Sequence, residues 1–487
     1  MSDEVSSSSR GNGGLRIAAA LACCAALSGC FVSRVDPQKP ELPLPAALPA
    51  PTDAIVALPD PWWKIFSDAR LDEFMREALT HNADVAIAAA RVAQARGTLG
   101  IANADRWPSV DLEGDATRSK ESSAVFVPGG QVQRLSTIYR VQGAIGYELD
   151  LWGRYARAAE SARADLLNSE FGREATKLSL TGDVARGYFG LIAAYRQLQR
   201  ARDTLATRDE SLKLEKLRFD SGESDEFTYK RAEADAAATR KSVHQLDLEL
   251  TQRASALSIL LGRSPKDLVE NAVAVNDAQL PEPVVLPAEL PSTVLARRPD
   301  ISAAEAALNA SAADIGVVRA SVFPSISLTG LFGSLSTELG DLFTKPMEAW
   351  SLTGGLVQPL FQGGRMRAGI SRAEAVREQR KAEYVQTVQV AFSDVHNALR
   401  GQTLIAGVRD ANAQQVAALT RATQLADLRY SQGDIAYLEL LDVRRGLFQA
   451  EIDLVAAQRD ALLNTVDLAL AVGGGMGELG ERVSSRR

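Results

Sequence analysis

Leu428 to Asp442 reads LRYSQGDIAYLELLD, and the fold turns on it. Gly433 breaks two long runs of helical periodicity, and the carboxylates Glu439 and Asp442 follow at once. Leu217 to Phe227, LRFDSGESDEF, is its twin. Leu217, Arg218, Phe219 and Gly222 match Leu428, Arg429, Tyr430 and Gly433 at one offset, 433 − 222 = 211. Two turns that each join long helices and stand at a constant offset mark an internal duplication.

Working outward, the helical pattern before the first turn runs from Arg154 to Phe219. Leu191, Leu198, Leu205, Leu212 and Phe219 recur there every seventh residue, which is a coiled-coil seam. At ~1.5 Å per residue such an arm is on the order of 100 Å long. A second arm returns from about Asp225 to Leu261. The later pair runs from Arg365 to Tyr430 and from Gly433 to about Val472, with Leu441, Phe448, Val455, Leu462 and Ala469 at sevenfold spacing. Taken alone, each antiparallel hairpin also fits a soluble coiled coil.

The duplication extends upstream. Asp84 to Gly114 aligns without gaps with Asp300 to Gly330, pairing Trp107-Pro108 with Phe323-Pro324 at 324 − 108 = 216. After each proline the period drops to two. Val110, Leu112, Gly114 and Ala116 alternate with Asp111, Glu113, Asp115 and Thr117, and Tyr139 to Asp150 alternates likewise after a loop over Arg118 to Thr137. In the second half Ile326, Leu328, Gly330 and Phe332 form one face, and Trp350, Leu352, Gly354 and Leu356 another, across a loop from Ser336 to Glu348. Each half therefore predicts helix, β-hairpin, helical hairpin. The predicted organisation is a signal segment 1–29, a Pro/Ala-rich tether 30–61 and a first repeat 62–264 with its β-hairpin at 108–151 and helical hairpin at 154–262. A linker 265–299, a second repeat 300–473 (β-hairpin 324–360, helical hairpin 365–472) and a tail 474–487 follow.

Four strands cannot close a barrel, and an open sheet in lipid leaves unpaired backbone groups at several kcal/mol each. Strands with one apolar and one polar or small face are what a membrane barrel needs, so copies must combine. A half-buried soluble sheet is the alternative, but such strands carry more valine and isoleucine and fewer glycines.

At 487 residues, 46% hydrophobic and 24% charged, the chain is globular in composition, and 6% aromatics with abundant alanine suits long helices. A net charge of −7 offers no basic footprint for nucleic acid. The three cysteines, Cys23, Cys24 and Cys30, precede the body, which therefore has neither disulfide nor cysteine metal site. Arg10 and Arg16 lead into an apolar run, Ile17 to Leu27, too short to span a bilayer, followed by Leu27-Ser28-Gly29-Cys30. These four residues resemble a bacterial lipobox, whose cysteine becomes the lipidated first residue of the mature chain; an ordinary signal peptide is the alternative.

In these motifs the chain resembles the bacterial outer membrane factors of the TolC and OprM type, most closely their NodT-like lipoprotein branch. The resemblance rests on Trp62-Trp63 with Phe66 and Leu71-Asp72, on YELDLWGR (147–154), RRPD (297–300) and QPLFQGGR (358–365), and on Arg429 to Asp442. It implies a mainly α protein with membrane β structure: a homotrimer whose copies each give four strands to an outer membrane barrel continuous with a periplasmic coiled-coil tunnel. It also implies an equatorial belt from Trp62 to Leu79, the linker and the C-terminus. Implied partners are a periplasmic membrane-fusion adaptor, an inner-membrane pump (RND or similar) and outer membrane lipid. With Phe31 after Cys30, the residue that would favour inner-membrane retention is absent.

Carried onto this sequence, the resemblance makes Asp442 the aspartate ringing the closed tunnel end. Glu439 lies one helical turn earlier on the same side, so a trimer would stack two carboxylate rings that attract cations. Tyr430 matches an aromatic that ties inner to outer helices, with Gly433 and Gly222 as the turns. Ile435 and Thr228 stand where some relatives carry tip charges. Arg231 is the twin of Asp442, and a pair between Arg231 and an acid at the tip would act as a lock.

Other chemistry is weak. GMGELG (475–480) fits GxGxxG but has no following strand; His81, His244 and His396 are scattered, and His244, the twin of Val455, is expected to pack. No enzyme and no cofactor beyond lipid on Cys30 are expected. The predicted function is a passive exit duct of a tripartite efflux or type I-like export system, with a helical iris gate. A periplasmic coiled-coil scaffold or adaptor lipoprotein without a pore is the alternative.

Overall fold

The computed structural model describes residues 35–40, 60–120, 135–270, 273–275, 279–283 and 297–474. A 3-10 turn at Trp62–Phe66 precedes α1 (Ala69–His81) and α2 (Ala83–Ala104), then β1 (Ser109–Lys120) and β2 (Leu135–Leu149). The first long hairpin is α3 (Arg154–Asp220) and α4 (Glu226–Leu260). After a short α5 (Pro265–Glu270) come α6 (Pro299–Ala320), β3 (Ser325–Ser336), β4 (Glu348–Val357), and the second hairpin, α7 (Arg365–Gln432) and α8 (Tyr437–Ala471). Among the described residues no helix is long and apolar enough to cross a membrane. The signal segment, Cys30 and the GMGELG stretch lie outside the described residues.

The chain forms two compact units, one built on Ala93–Asn168 and Glu305–Glu383, the other on the residues through Val92, Ser169–Ala304 and Tyr384 onward. The first unit holds an antiparallel sheet in the order β1-β2-β3-β4, so β1 and β4 are open edges. Its registers keep like faces together. Val110 faces Ile145, Ile145 faces Gly330 and Gly330 faces Leu352, all on the apolar face. On the other, Glu113 faces Gln142, Asp115 faces Arg140 and Thr329 faces Thr353. The polar face is knitted by Gln142 donating to Glu113 at 2.9 Å and by Arg140 3.7 Å from Asp115. The apolar face is bare: Leu112 is 82% exposed, Trp350 78% and Leu352 75%. The strands run past the expected loop boundaries, to Lys120 and from Leu135, because the ladder continues through their polar ends.

Below the sheet, Asp150 caps the start of α3 by accepting from the amides of Tyr155 and Ala156. Trp152 stacks on Phe323, ring centres 4.9 Å apart, and its indole N–H donates to the Pro324 carbonyl. In this unit the helices meet through small residues, with Gly316 letting the Arg157 side chain lie against the α6 backbone.

The second unit has an apolar core of Trp62, Phe66, Leu71, Phe74, Met75, Phe189, Ile192, Leu257 and Leu462, joined by Val273 and Val275. It thus brings together the Trp62 segment, α1 and part of the linker. Two polar groups inside this apolar core are satisfied: Trp62 Nε1 donates to Thr181, and Tyr188 donates to Asp68, the carboxylate that also caps α1. The RRPD motif acts through Arg298, 9% exposed, which pairs with Asp300 and Asp394 and donates to the Ala471 carbonyl. It fastens α6, α7 and the end of α8 at one point. His244, expected to pack, is exposed on α4 instead.

Candidate functional site

Both helical hairpins turn through the same backbone chemistry. Gly222 (φ +77°) and Gly433 (φ +81°) take the left-handed conformation that closes a helix C-terminus. The amide of Glu223 donates to the Arg218 carbonyl at 2.8 Å, and that of Asp434 to the Arg429 carbonyl at 2.9 Å. The next helices start differently. Asp225 caps α4 by accepting from the Thr228 amide, which lowers its carboxyl pKa, whereas Ala436 leaves α8 without a side-chain cap.

Just inside these turns, the four long helices converge on charged and aromatic side chains. Tyr430 of α7 donates its hydroxyl proton to Glu215 of α3 at 2.6 Å, and Arg218 donates to the Tyr430 oxygen at 2.9 Å. Glu215 is 1% exposed, and its other oxygen, Oε2, has no hydrogen-bond partner. About two helical turns further in, Asp235 of α4, 3% exposed, lies between two arginines. Arg445 of α8 donates Nε–H to its Oδ1 at 2.7 Å, and Arg208 of α3 sits with Nε 2.9 Å from Oδ2. The Arg208 contact is an ion pair out of line for a hydrogen bond, leaving Nε and Nη1 of that buried guanidinium without hydrogen-bond partners. Burial lowers the Arg208 pKa against the opposing pull of Asp235. Arg444, the neighbour of Arg445, pairs with Asp427 of α7 at 2.6 Å and donates to Ser211 of α3. Tyr437, Leu441 and Ala232 fill the space between these polar ties.

This geometry places the sequence-predicted residues. Tyr430 does join the second hairpin to the first. Glu439 and Asp442 are exposed on α8, on the side opposite Tyr437, Leu440, Leu441 and Arg444, which pack inward. Among the described residues Arg231 makes no ion pair: its guanidinium lies over the Phe227 ring, 5.6 Å from the centre, with Nε buried and unpartnered. Within one copy, the ties that join the hairpins near their turns among the described residues include Tyr430–Glu215, Arg445–Asp235 and Arg444–Ser211, and none of them involves Arg231.

Arg208, Glu215, Asp235, Arg444 and Arg445 were not singled out from the sequence, yet a signal existed for two of them. Arg208 and Glu215 fall three residues after Leu205 and Leu212 of the sevenfold series, the second seam position of a heptad. Charges at seam positions meet another helix. Among the described residues no group of three or more histidine, cysteine or carboxylate residues could hold a metal.

The outer membrane efflux protein family model matches residues 74–263 and 290–474. The cation efflux system protein CusC of Escherichia coli O6:H1 is 32% identical over 458 residues, covering 92% of this chain and 96% of that protein. The pyoverdine export outer membrane protein OpmQ of Pseudomonas putida is 33% identical over 460 residues, covering 93% and 97%. The solved outer-membrane channel OprN superposes with a TM-score of 0.81 at 30% identity, covering 91% of this chain and 99% of that one.

Proposed function

The chain belongs to the outer membrane efflux protein family, and from that premise we propose that it is the outer membrane exit duct of an export system, gated at its hairpin turns. It is an outer membrane protein of a family of channels. Three copies close the barrel that one four-stranded sheet leaves open, with the apolar faces of Leu112, Ile145, Leu328 and Leu352 toward lipid and the Glu113, Gln142 and Thr353 faces toward water. The helical hairpins stand in the periplasm, where an adaptor engages their turns and an inner-membrane pump supplies the energy. Lipid on Cys30 holds the chain to the membrane.

One observation carries the gate: Glu439 and Asp442 project from α8 opposite the face that packs on its own copy. In a trimer they line the axis as two rings of three carboxylates. The ties through Tyr430 and Arg445 hold α7 and α8 against α3 and α4, and releasing them lets the second hairpin swing outward and separate the rings. Relatives similar over more than nine-tenths of the chain are named for cation efflux and for pyoverdine export, cargoes too unlike for one duct to distinguish, so cargo is selected by the pump and adaptor. A pore-free scaffold lacks any reason for a sheet with two open edges and a bare apolar face.

Planar-bilayer recording of the purified protein tests the reading. A cation-preferring conductance that needs the whole chain is expected; protein that inserts yet never conducts overturns the duct.

A further inference from the structure

We infer that the seam between neighbouring copies repeats the β2–β3 pairing within one copy, which fixes its register: β4 of one copy pairs with β1 of the next so that Thr353 lies opposite Thr117 and Ser351 opposite Ser119. The inference rests on the trimeric barrel proposed above and adds what that reading lacks, the residues that meet.

The internal duplication supplies the template. β3 repeats β1 at 330 − 114 = 216, and β4 repeats β2 at 354 − 143 = 211, the offset of the helical turns. The outward residues of β2, Tyr139, Val141, Gly143 and Ile145, recur in β4 as Trp350, Leu352, Gly354 and Leu356. Within one copy the repeats join where β2 pairs with β3: Ile145 opposite Gly330, Gln142 opposite Gly333, Arg140 opposite Leu335. Carrying each partner to its repeat equivalent puts Leu356 opposite Gly114, Thr353 opposite Thr117 and Ser351 opposite Ser119 of the next copy.

Three independent features of the sheet agree. First, only every second register keeps faces matched, because a slip of one residue sends an apolar row to the polar side. The transferred register sets Leu356, Gly354 and Leu352 beside Gly114, Ala116 and Arg118, so the apolar row stays continuous until Arg118 at its outer end. Second, the polar row acquires Thr–Thr and Ser–Ser cross-strand pairs, of the kind that stabilise strand pairing, and like charges do not meet: Asp115 faces Gly355 and Glu113 faces Val357. Third, closure requires stagger. Following pairs from Ser109 through Gly146, Thr329 and Thr353 reaches Thr117 of the next copy, an advance of 117 − 109 = 8 residues per copy, always in one direction.

The copied seam differs from its template at one point. Gly333 approaches so closely that a Cβ there would lie 2.2 Å from the Val141 carbonyl. Its repeat equivalent is Thr117, which cannot make that approach, so the seam between copies is less tightly drawn at this pair than the joint inside one copy.

The body beyond Cys30 has no cysteine, which makes disulfide trapping direct. Full-length Thr117→Cys/Thr353→Cys and Ser119→Cys/Ser351→Cys proteins are oxidised in detergent and in membranes, then heated and run without reductant. The same four sites recombined, Thr117→Cys/Ser351→Cys and Ser119→Cys/Thr353→Cys, are the controls, because residues one pair out of register lie ~7–8 Å apart, beyond the usual disulfide span. The matched pairs are expected to run mostly as covalent trimers that reductant dissolves, and the recombined pairs mostly as monomers. Trimers on unheated gels that are trapped only by a recombined pair, or by none of the four, overturn the register while leaving the trimer standing. Protein that light scattering shows is not trimeric in any variant overturns the assembly reading and the seam with it. Single-cysteine proteins, which can link only in pairs, confirm that each substitution is tolerated.

Discussion

Tyr430 and Glu215 lie on different hairpins, 215 residues apart in sequence, and are joined by a hydrogen bond of 2.6 Å from the phenol to the carboxylate. Glu215 is buried and has no other partner closer than Arg218, at 3.4 Å. The phenol therefore holds in place a charge that would otherwise draw water into the seam, and it stands at the joint that the proposed gate would open.

Removing that hydroxyl is the mildest way to weaken the contact. Tyr430→Phe keeps the ring against Tyr437 and loses the bond, at ~1–3 kcal/mol because a buried acceptor is left short. A roughly fivefold or larger shift of a two-state gate toward conducting follows. Single-channel open probability measures it, and unchanged gating removes Tyr430 from the tie.

Asp235 sits between Arg208 and Arg445, so Asp235→Ala leaves a buried guanidinium without its counter-charge. Breaking a buried pair by deleting one partner costs ~3–5 kcal/mol. The protein should conduct more than Tyr430→Phe and lose helical circular dichroism at a lower temperature. Adding Arg208→Met should recover part of the loss, as a double-mutant comparison of melting curves would report.

The two acids of α8 are exposed and form no ion pair among the described residues. Glu439→Ala with Asp442→Ala should leave melting unchanged while lowering cation over anion preference, read as the reversal potential in a salt gradient. A reversal potential equal to that of the parent protein places the selectivity elsewhere.

Alkaline pH should loosen the tie through Tyr430. Its phenol pKa is raised, first by burial and then by its hydrogen bond to Glu215. A raised pKa in the packed state means that the bond contributes fully below the ordinary tyrosine value near 10 and is lost as pH climbs through the raised one. Conductance should climb reversibly above about pH 10, with Tyr430→Phe lacking that component. Equal pH profiles would argue against it.

Cys30→Ser should abolish incorporation of radiolabelled fatty acid into the protein. Labelling that persists would place the lipid elsewhere.

The plan of the molecule was legible because it is written in periods. A switch from three-and-a-half to two and back, twice, leaves little choice of element order, and Gly222 and Gly433 mark turns that need a left-handed residue. The polar ties were harder to see. On a long helix with charges on every turn, a solvated arginine and a buried one differ only by position in the seam, and Arg208 carries that mark while Asp235 has none. The repeat gives Arg231 the backbone place of Asp442 but names no partner for it, and within one copy its guanidinium lies over the Phe227 ring.

The seam of α3 changes character toward its turn. Gly187, Ala194 and Ala201 hold the second heptad place in its upper part, and Arg208 and Glu215 hold it near the end. A leucine there would adhere, since apolar surface parted in water resists at ~25 cal/mol per Å². Ions behave in the opposite way. They are expensive to dehydrate when the hairpins close, and hydration returns much of that expense when they part. In the proposed gate the lower seam is thus suited to reversible detachment, with water as a substitute ligand for Arg208, Glu215 and Asp235.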